Sequence, residues 1–271
     1  MIQLVFTDVD GTLVGSAGTV LPDVWAAAER VRAARIRMAI CTGRPAFGDA
    51  RGYAERLDPD GWHVFQNGAS VLNLATSESL STPIPRDAIA ALIERARTIG
   101  RILELYTDSE YAVESTSARA REHARLLGVP FTPRPFESLT GTIVRAQWLV
   151  SREEEDEAVA DATGGLERSS STSPVMPDTA FINMTARGVD KAHAVSIVAA
   201  QYALPLDEVM FVGDGNNDLA AMRSVGYPVA MANAEPAVHA IARRTVRHVD
   251  EAGLVDAFAL ALDSRAARGA A

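Results

Sequence analysis

Short apolar runs alternate with amphipathic stretches over the first third of the chain and again over the last third. Residues 2–6, Ile-Gln-Leu-Val-Phe, are an apolar and partly β-branched run that reads as a buried strand. Residues 22–35 place Val24, Ala27, Ala28 and Val31 at helical spacing, with Pro22 suited to a first turn, and predict a helix. Residues 36–41 predict a second strand, a helix follows to about Leu57, and residues 63–65 predict a third strand. This rhythm predicts a parallel sheet with helices on both faces and functional loops at the carboxyl ends of its strands.

Between residues 81 and 185 the rhythm changes. Helices are expected over 85–98, 118–127 and from 152 to 161, and strands over 102–106, 147–150 and 180–182. Residues 129–135 are proline-rich, and residues 168–174, with four serines and a threonine, read as an exposed loop. From Val189 the first rhythm resumes, with helices at 190–202, 236–243 and 253–262 and strands at 209–212, 227–231 and 245–249. Residues 264–271 are small and basic and are expected to fray. No internal repeat is evident. The organisation expected is an α/β, Rossmann-like core formed by residues 1–80 and 186–271, with an α+β domain of residues 81–185 inserted into it.

Composition narrows the function classes. A chain of 271 residues, 48% hydrophobic and 23% charged, has the make-up of an ordinary globular protein of one large or two moderate domains. A net charge of −9 argues against a sequence-independent nucleic-acid binder. It leaves room for a small anionic substrate, because local donors outweigh distant charge once salt screens it. The single cysteine, Cys41, cannot form an intramolecular disulfide, which fits a reducing compartment. No basic segment followed by an apolar core opens the chain, and no apolar run approaches the ~18 residues of a membrane span. A cytoplasmic enzyme or binding protein is the expectation; the oligomeric state is not legible.

Candidate chemistry lies at the strand ends. Asp8 and Asp10, in Asp8-Val9-Asp10-Gly11-Thr12, follow the first strand two residues apart, so both can face one small volume. Close carboxylates repel unless a cation or a shared proton stabilises them, which points to metal-assisted or covalent carboxylate chemistry; a solvated Asp/Gly turn would use the same residues. Gly213-Asp214-Gly215-Asn216-Asn217-Asp218 follows a second apolar strand and opens a helix. Helix capping explains one or two of these residues, but not four polar side chains and two glycines together. In a parallel sheet both loops leave the same edge, and Asp8, the Asp10 carbonyl and Asp214 form an oxygen set suited to Mg²⁺. Thr42-Gly43-Arg44 offers a hydroxyl and backbone N–H groups where an anion can sit, or else an N-cap and a turn. Lys191 stands near the positive end of a helix dipole, which is unfavourable unless an anion or carboxylates compensate it. The five histidines are scattered without zinc spacing, and Cys41 reads as a buried strand residue.

Asp8-Val9-Asp10-Gly11-Thr12, Thr42-Gly43-Arg44, Lys191 and the segment from Gly213 to Asp218, in that order along the chain, resemble the four motifs of the haloacid dehalogenase-like phosphatases. The insert between the second and third motifs, Asn67-Gly68-Ala69 before it and the phrase from Ile182 to Lys191 after it are similar to the Cof-type subgroup with a type IIB cap. The resemblance implies a Mg²⁺-dependent phosphatase acting on a small phosphorylated metabolite through an aspartyl-phosphate. Asp8 would be the nucleophile, Asp10 the general acid and then base, and Thr42 and Lys191 the holders of the phosphoryl group. Asp8, the Asp10 carbonyl and Asp214 would bind the metal, Asp218 would support its shell, and Asn217 would stand near the phosphate or Lys191. Ala232 departs mildly from the subgroup, which commonly has glycine there. Sugar phosphates are the default substrate, and Gly43, Arg44, Asn183 and residues 169–173 are candidates for contacting it. A sugar phosphomutase or phosphotransferase on the same scaffold, and a catalytically silent phosphosugar-binding protein, are the alternatives.

Overall fold

The computed structural model describes residues 1–173 and 175–269. The elements begin with β1 (Leu4–Thr7), α1 (Pro22–Ala33), β2 (Arg37–Ile40), α2 (Asp49–Leu57), β3 (Trp62–Phe65) and β4 (Ser70–Asn73). They continue with α3 (Arg86–Ile99), β5 (Ile102–Tyr106), β6 (Tyr111–Val113), α4 (Ala118–Leu126), β7 (Arg145–Ser151), α5 (Glu155–Ala160), β8 (Glu167–Ser173) and β9 (Met176–Thr185). The last are α6 (Lys191–Gln201), β10 (Val209–Gly213), α7 (Leu219–Ser224), β11 (Tyr227–Met231), α8 (Pro236–His239), β12 (Arg244–Val246) and α9 (Leu254–Gly269).

The chain divides into two compact units. Met1–Gly43, Gly52–Leu80 and Asp190–Ala271 form the first, and Arg44–Arg51 with Ser81–Val189 form the second. Residues 44–51 and 186–189 thus group with the second unit, beyond the 81–185 span expected from the sequence. In the first of these segments the Phe47 ring stacks on Tyr106 and Tyr111 at 6.4 and 6.2 Å, and Gly48 and Asp49 lie beside Leu127 and Gly128.

In the first unit five parallel strands lie in the order β12-β11-β10-β1-β2. Alternate residues of each strand face opposite sides. Leu4, Phe6, Val209 and Phe211 pack with Ala194, Val195 and Val198 of α6 and Met222 of α7, and Phe6 stacks on Phe211 at 6.2 Å. On the other side α1 and α9 pack against each other and against β2 and β10. The parallel sheet flanked by helices on both faces matches the sequence expectation. The third strand does not. β3 pairs antiparallel with β4, which was not anticipated, in a separate two-stranded sheet, and a parallel bridge between Cys41 and Val64 joins it to the end of β2.

The second unit holds an antiparallel sheet in the order β6-β5-β7-β9-β8. Leu103, Leu105, Trp148 and Ile182 form its apolar face, packed with Ala88, Leu92 and Ala96 of α3 and Ala158 of α5. The segment expected as an exposed loop, residues 168–174, is largely β8; Pro174 itself lies outside the described residues. Its side chains are exposed or half-buried throughout, so no polar/apolar alternation marks it as strand. Backbone pairing along β9 decides its state instead. The helix expected over 236–243 ends at His239, and the strand expected over 245–249 is β12, Arg244–Val246. The tail expected to fray continues α9 to Gly269, while Ala270 and Ala271 lie outside the described residues.

Candidate active site

Three buried charges of the first unit, Asp8, Lys191 and Asp218, meet at the carboxyl ends of β1 and β10. Asp8 extends β1 by one residue, its N–H donating to the Val212 carbonyl at 2.9 Å, and its side chain is buried. The chain then turns sharply, with the N–H groups of Leu13 and Val14 both donating to the Val9 carbonyl. Gly11 makes the turn possible twice over. Its φ is +83°, and a Cβ there would lie 2.1 Å from Oδ2 of Asp214. Thr12 Oγ1 donates to Asp214 Oδ1 at 2.6 Å, which ties the two strand-end loops together.

Asp218 is fully buried and both of its oxygens accept hydrogen bonds. Oδ2 receives the N–H groups of Asp214 and Gly215, each at 3.1 Å, and Oδ1 receives Lys191 Nζ at 2.6 Å. Lys191 opens α6 behind its N-cap Asp190, whose side chain accepts from the His193 N–H at 2.8 Å. The Lys191 ammonium, 1% exposed, also donates to Asp8 Oδ1 at 2.8 Å. A cation at this end of a helix opposes the dipole, and two buried carboxylates compensate it.

The electrostatics are those of a site short of positive charge. Burial pushes the Asp8 carboxyl well above its ordinary range; Lys191 opposes that shift, and Asp218 and Asp214 add to it. Burial likewise raises Asp214 to about 7, with the Thr12 hydrogen bond and Lys191 opposing and Asp218 and Asp10 adding. Burial works against charge on Lys191, but Asp218 and Asp8 outweigh it and hold the ammonium well above its usual range. Oxygens of Asp8, Asp214 and Asp218 lie within 4.8 Å of one another. An all-oxygen, net-negative set of this kind fits a hard divalent cation such as Mg²⁺. The two Asp218 oxygens are already engaged by N–H donors, so the set offers Asp8 and Asp214 most directly.

Thr42 is fully buried just past β2, its N–H donating to the Val64 carbonyl at 3.0 Å and its carbonyl accepting from the Asn67 N–H at 2.9 Å. Asp10 is exposed, close enough to Asp214 to raise its pKa. Asn217 is exposed and donates to Asn67 Oδ1 at 3.3 Å. Arg44 belongs to the second unit, as does Asn183, which is buried and bonds to Arg145, Ser171 and the Phe181 carbonyl. Residues 169–173 are paired strand in that unit. Cys41 is buried and its thiol is pushed well up by burial, consistent with an inert strand residue. His63 is a satisfied core side chain: Nδ1 accepts from the Ile40 N–H, Nε2 donates to the Asp58 carbonyl, and burial pulls its pKa to about 4.

Sequence reasoning missed Asn233. Its Nδ2 donates to the Gly11 carbonyl at 2.8 Å and its Oδ1 accepts from the Val249 N–H at 3.1 Å, so it clamps the turn that follows Asp10. The visible signal was a polar residue between Ala232 and Ala234 at the end of a parallel strand.

Residues 5–258 match the sequence profile of the haloacid dehalogenase-like hydrolases, and the chain belongs to that family. It is a phosphatase of the Cof type. A phosphoglycolate phosphatase of Methanopyrus kandleri is 28% identical over 243 residues, covering 89% of each chain. A haloacid dehalogenase-like hydrolase from Bacteroides thetaiotaomicron shares the fold with a TM-score of 0.85 at 24% identity, over 95% of this chain and 98% of that one. A subclass IIB sugar phosphatase of known structure superposes with a TM-score of 0.79 at 24% identity, over 94% and 97% of the two chains. Among the described residues no helix is long and apolar enough to cross a membrane.

Proposed function

We propose that this phosphatase hydrolyses a small phosphomonoester with Mg²⁺, through a phosphoryl group carried on Asp8. The observation that carries this reading is the buried Lys191 ammonium held between Asp8 and Asp218, with the Asp214 carboxylate completing an oxygen set within 4.8 Å. An anionic substrate can approach a carboxylate nucleophile only where positive charge offsets the repulsion. Mg²⁺ bound by Asp8, the Asp10 carbonyl and Asp214 would supply part of that charge and polarise the phosphoryl oxygens.

The chain's own residues then divide the work. Lys191 favours the ionised form of Asp8 against its burial and, with Thr42 and the Gly43 backbone, holds the transferring group. The Asp8 carboxylate attacks phosphorus, the bond from phosphorus to the leaving oxygen breaks, and Asp10 gives that oxygen a proton. Asp10 next takes a proton from water, which attacks the same phosphorus; inorganic phosphate leaves and Asp8 is regenerated. The exposure of Asp10 suits a group that meets both the leaving group and water. Asp218 serves the site by holding Lys191 and the Asp214–Gly215 backbone.

Sugar phosphates are the substrate class we favour, a choice supported by the sugar phosphatase among the structural neighbours. Phosphoglycolate is the next candidate, from the name of the Methanopyrus relative. In this division of labour the first unit supplies the chemistry and the second, as a type IIB cap, supplies the choice of substrate. A buried, unbridged Cys41 supports a reducing, cytoplasmic setting. A phosphate-release panel of phosphorylated metabolites with Mg²⁺, run beside Asp8→Asn, tests the reading. The variant is expected to lose at least about a thousandfold in turnover with its circular dichroism unchanged. Full activity in Asp8→Asn would overturn the reading.

A further inference from the structure

The turn after β3 is strained in a way its own residues do not require. Gln66 and Asn67 both have φ of 55° and Gly68 has φ of 100°, so three residues in succession are left-handed and one of them is glycine. Backbone of this kind persists where its surroundings over-determine it, and it concentrates at functional sites. The surroundings here are explicit. The Asn67 N–H donates to the Thr42 carbonyl at 2.9 Å, and a Cβ on Gly68 would lie 2.1 Å from the Asp190 carbonyl oxygen and 3.2 Å from the Lys191 nitrogen. The turn is wedged between the Thr42 loop and the first residue of α6.

Its side chain reaches a third loop. Asn67 Oδ1 accepts from Asn217 Nδ2 at 3.3 Å. The Asn67 carboxamide lies over Gly43, where a Cβ would fall 3.1 Å from Oδ1 and 3.3 Å from Nδ2. The Asn217 Oδ1 lies over Gly215, 2.7 Å from the position of a Cβ there. Two carboxamides therefore run in series from the loop after β2 to the loop after β10, each seated on a residue with no side chain. A single amide–amide bond between partly solvated groups contributes little to stability, because water satisfies both ends equally well. Three left-handed residues spent on holding it argue for geometry rather than stability.

We propose that Asn67 is a positioning residue: through Asn217 and the Thr42–Gly43 backbone it sets the spacing between the loop after β2, which holds the phosphoryl group, and the loop after β10, which carries Asp214. The inference rests on the phosphatase reading above. Its test uses p-nitrophenyl phosphate with Mg²⁺ for turnover and inorganic phosphate for binding, in Asn67→Gly, Asn217→Ala and the double variant. Glycine suits a φ of 55° and removes the side chain alone. Each single variant is expected to raise KM and weaken phosphate binding by about tenfold, with the larger effect on KM than on kcat and the melting temperature nearly unchanged. The double variant should be no worse than the poorer single, since losing either amide already opens the strap. Additive losses, or an Asn67→Gly protein that melts lower but keeps wild-type KM and phosphate affinity, would overturn the proposal. Calorimetric phosphate binding needs no turnover. A wild type that releases no phosphate from any ester, yet shows the same coupled loss of phosphate affinity, would sink the phosphatase reading and leave the strap standing.

Discussion

Lys191 in the first unit and Arg145 in the second are both cations with almost no exposure, 1% and 2%. Their surroundings are built on opposite terms. Around Lys191 stand Asp8, Asp214 and Asp218, a set that stays net negative after the ammonium is counted. Two carboxylates within 4.8 Å of each other repel by roughly 3 kcal/mol or more at an effective dielectric of about 20, a repulsion that the one ammonium of Lys191 offsets only in part. Around Arg145 stand an aromatic ring and a carboxamide, beside a hydrogen-bonded network of Glu104, Tyr106 and His123. Arg145 lies over the Tyr106 ring at 4.0 Å and donates to Asn183 Oδ1 at 3.1 Å. The Tyr106 hydroxyl donates to Glu104, whose oxygens also lie 2.8 and 3.0 Å from His123 Nδ1, and His123 packs on Phe181. Burial alone therefore does not mark a reaction site. The cluster with an excess of carboxylates is the one that calls for a cation and an anionic substrate, while the mutual bonds of Glu104, Tyr106 and His123 have the character of a structural network.

This contrast can be broken by substitution. Lys191→Met should lower turnover on a phosphomonoester by at least about a thousandfold and destabilise the fold by about 3–5 kcal/mol, because it leaves buried carboxylates without their cation. Urea unfolding and phosphate release measure the two effects, and a variant of wild-type stability would show that the cluster is not held as described. Removing divalent metal with a chelator should abolish turnover, and added Mg²⁺ should restore it while raising stability by about 1–3 kcal/mol at saturating concentration. A melting temperature insensitive to Mg²⁺ would count against a cation among Asp8, Asp214 and Asp218. The smallest effect is expected in the Glu104 network. Glu104→Gln should cost about 1–3 kcal/mol through the hydrogen bonds of Tyr106 and His123, and leave kcat within about twofold. A Glu104→Gln protein that is fully stable but inactive would move that network into the reaction site.

The parts legible in the sequence were those written by local pattern. Strand and helix alternation foretold the parallel sheet because apolar periodicity reports which face is buried. The ordered carboxylates, Thr42 and Lys191 could be picked out because each directly follows or opens a patterned element. The parts that stayed hidden lack such a pattern. β8 carries polar side chains along its whole length and is strand only because β9 offers it backbone partners. β6 is three residues long, too short for a periodicity to register, and β4 is strand through its antiparallel pairing with β3. Phe47 looks like part of the helix-bound segment after Thr42, but its ring stacks on Tyr106 and Tyr111, and residues 44–51 group with the second unit. The roles of Asn67 and Asn233 rest on hydrogen bonds that include partners 150 and 222 positions away, which no local window contains.

By itself the sequence determined the class of fold, the order of the four motifs and the residue types able to carry phosphoryl chemistry, because these follow from periodicity and from the chemistry of carboxylate, hydroxyl and ammonium groups. Only the tertiary structure decided which of them share one volume. It brought Lys191 to Asp8 across 183 positions, engaged both oxygens of Asp218, and set the Asp214 carboxylate against the bare Gly11. The reason is physical: the pull of one charge on another depends on distance and on exclusion of water, and both are properties of the packed chain rather than of its order.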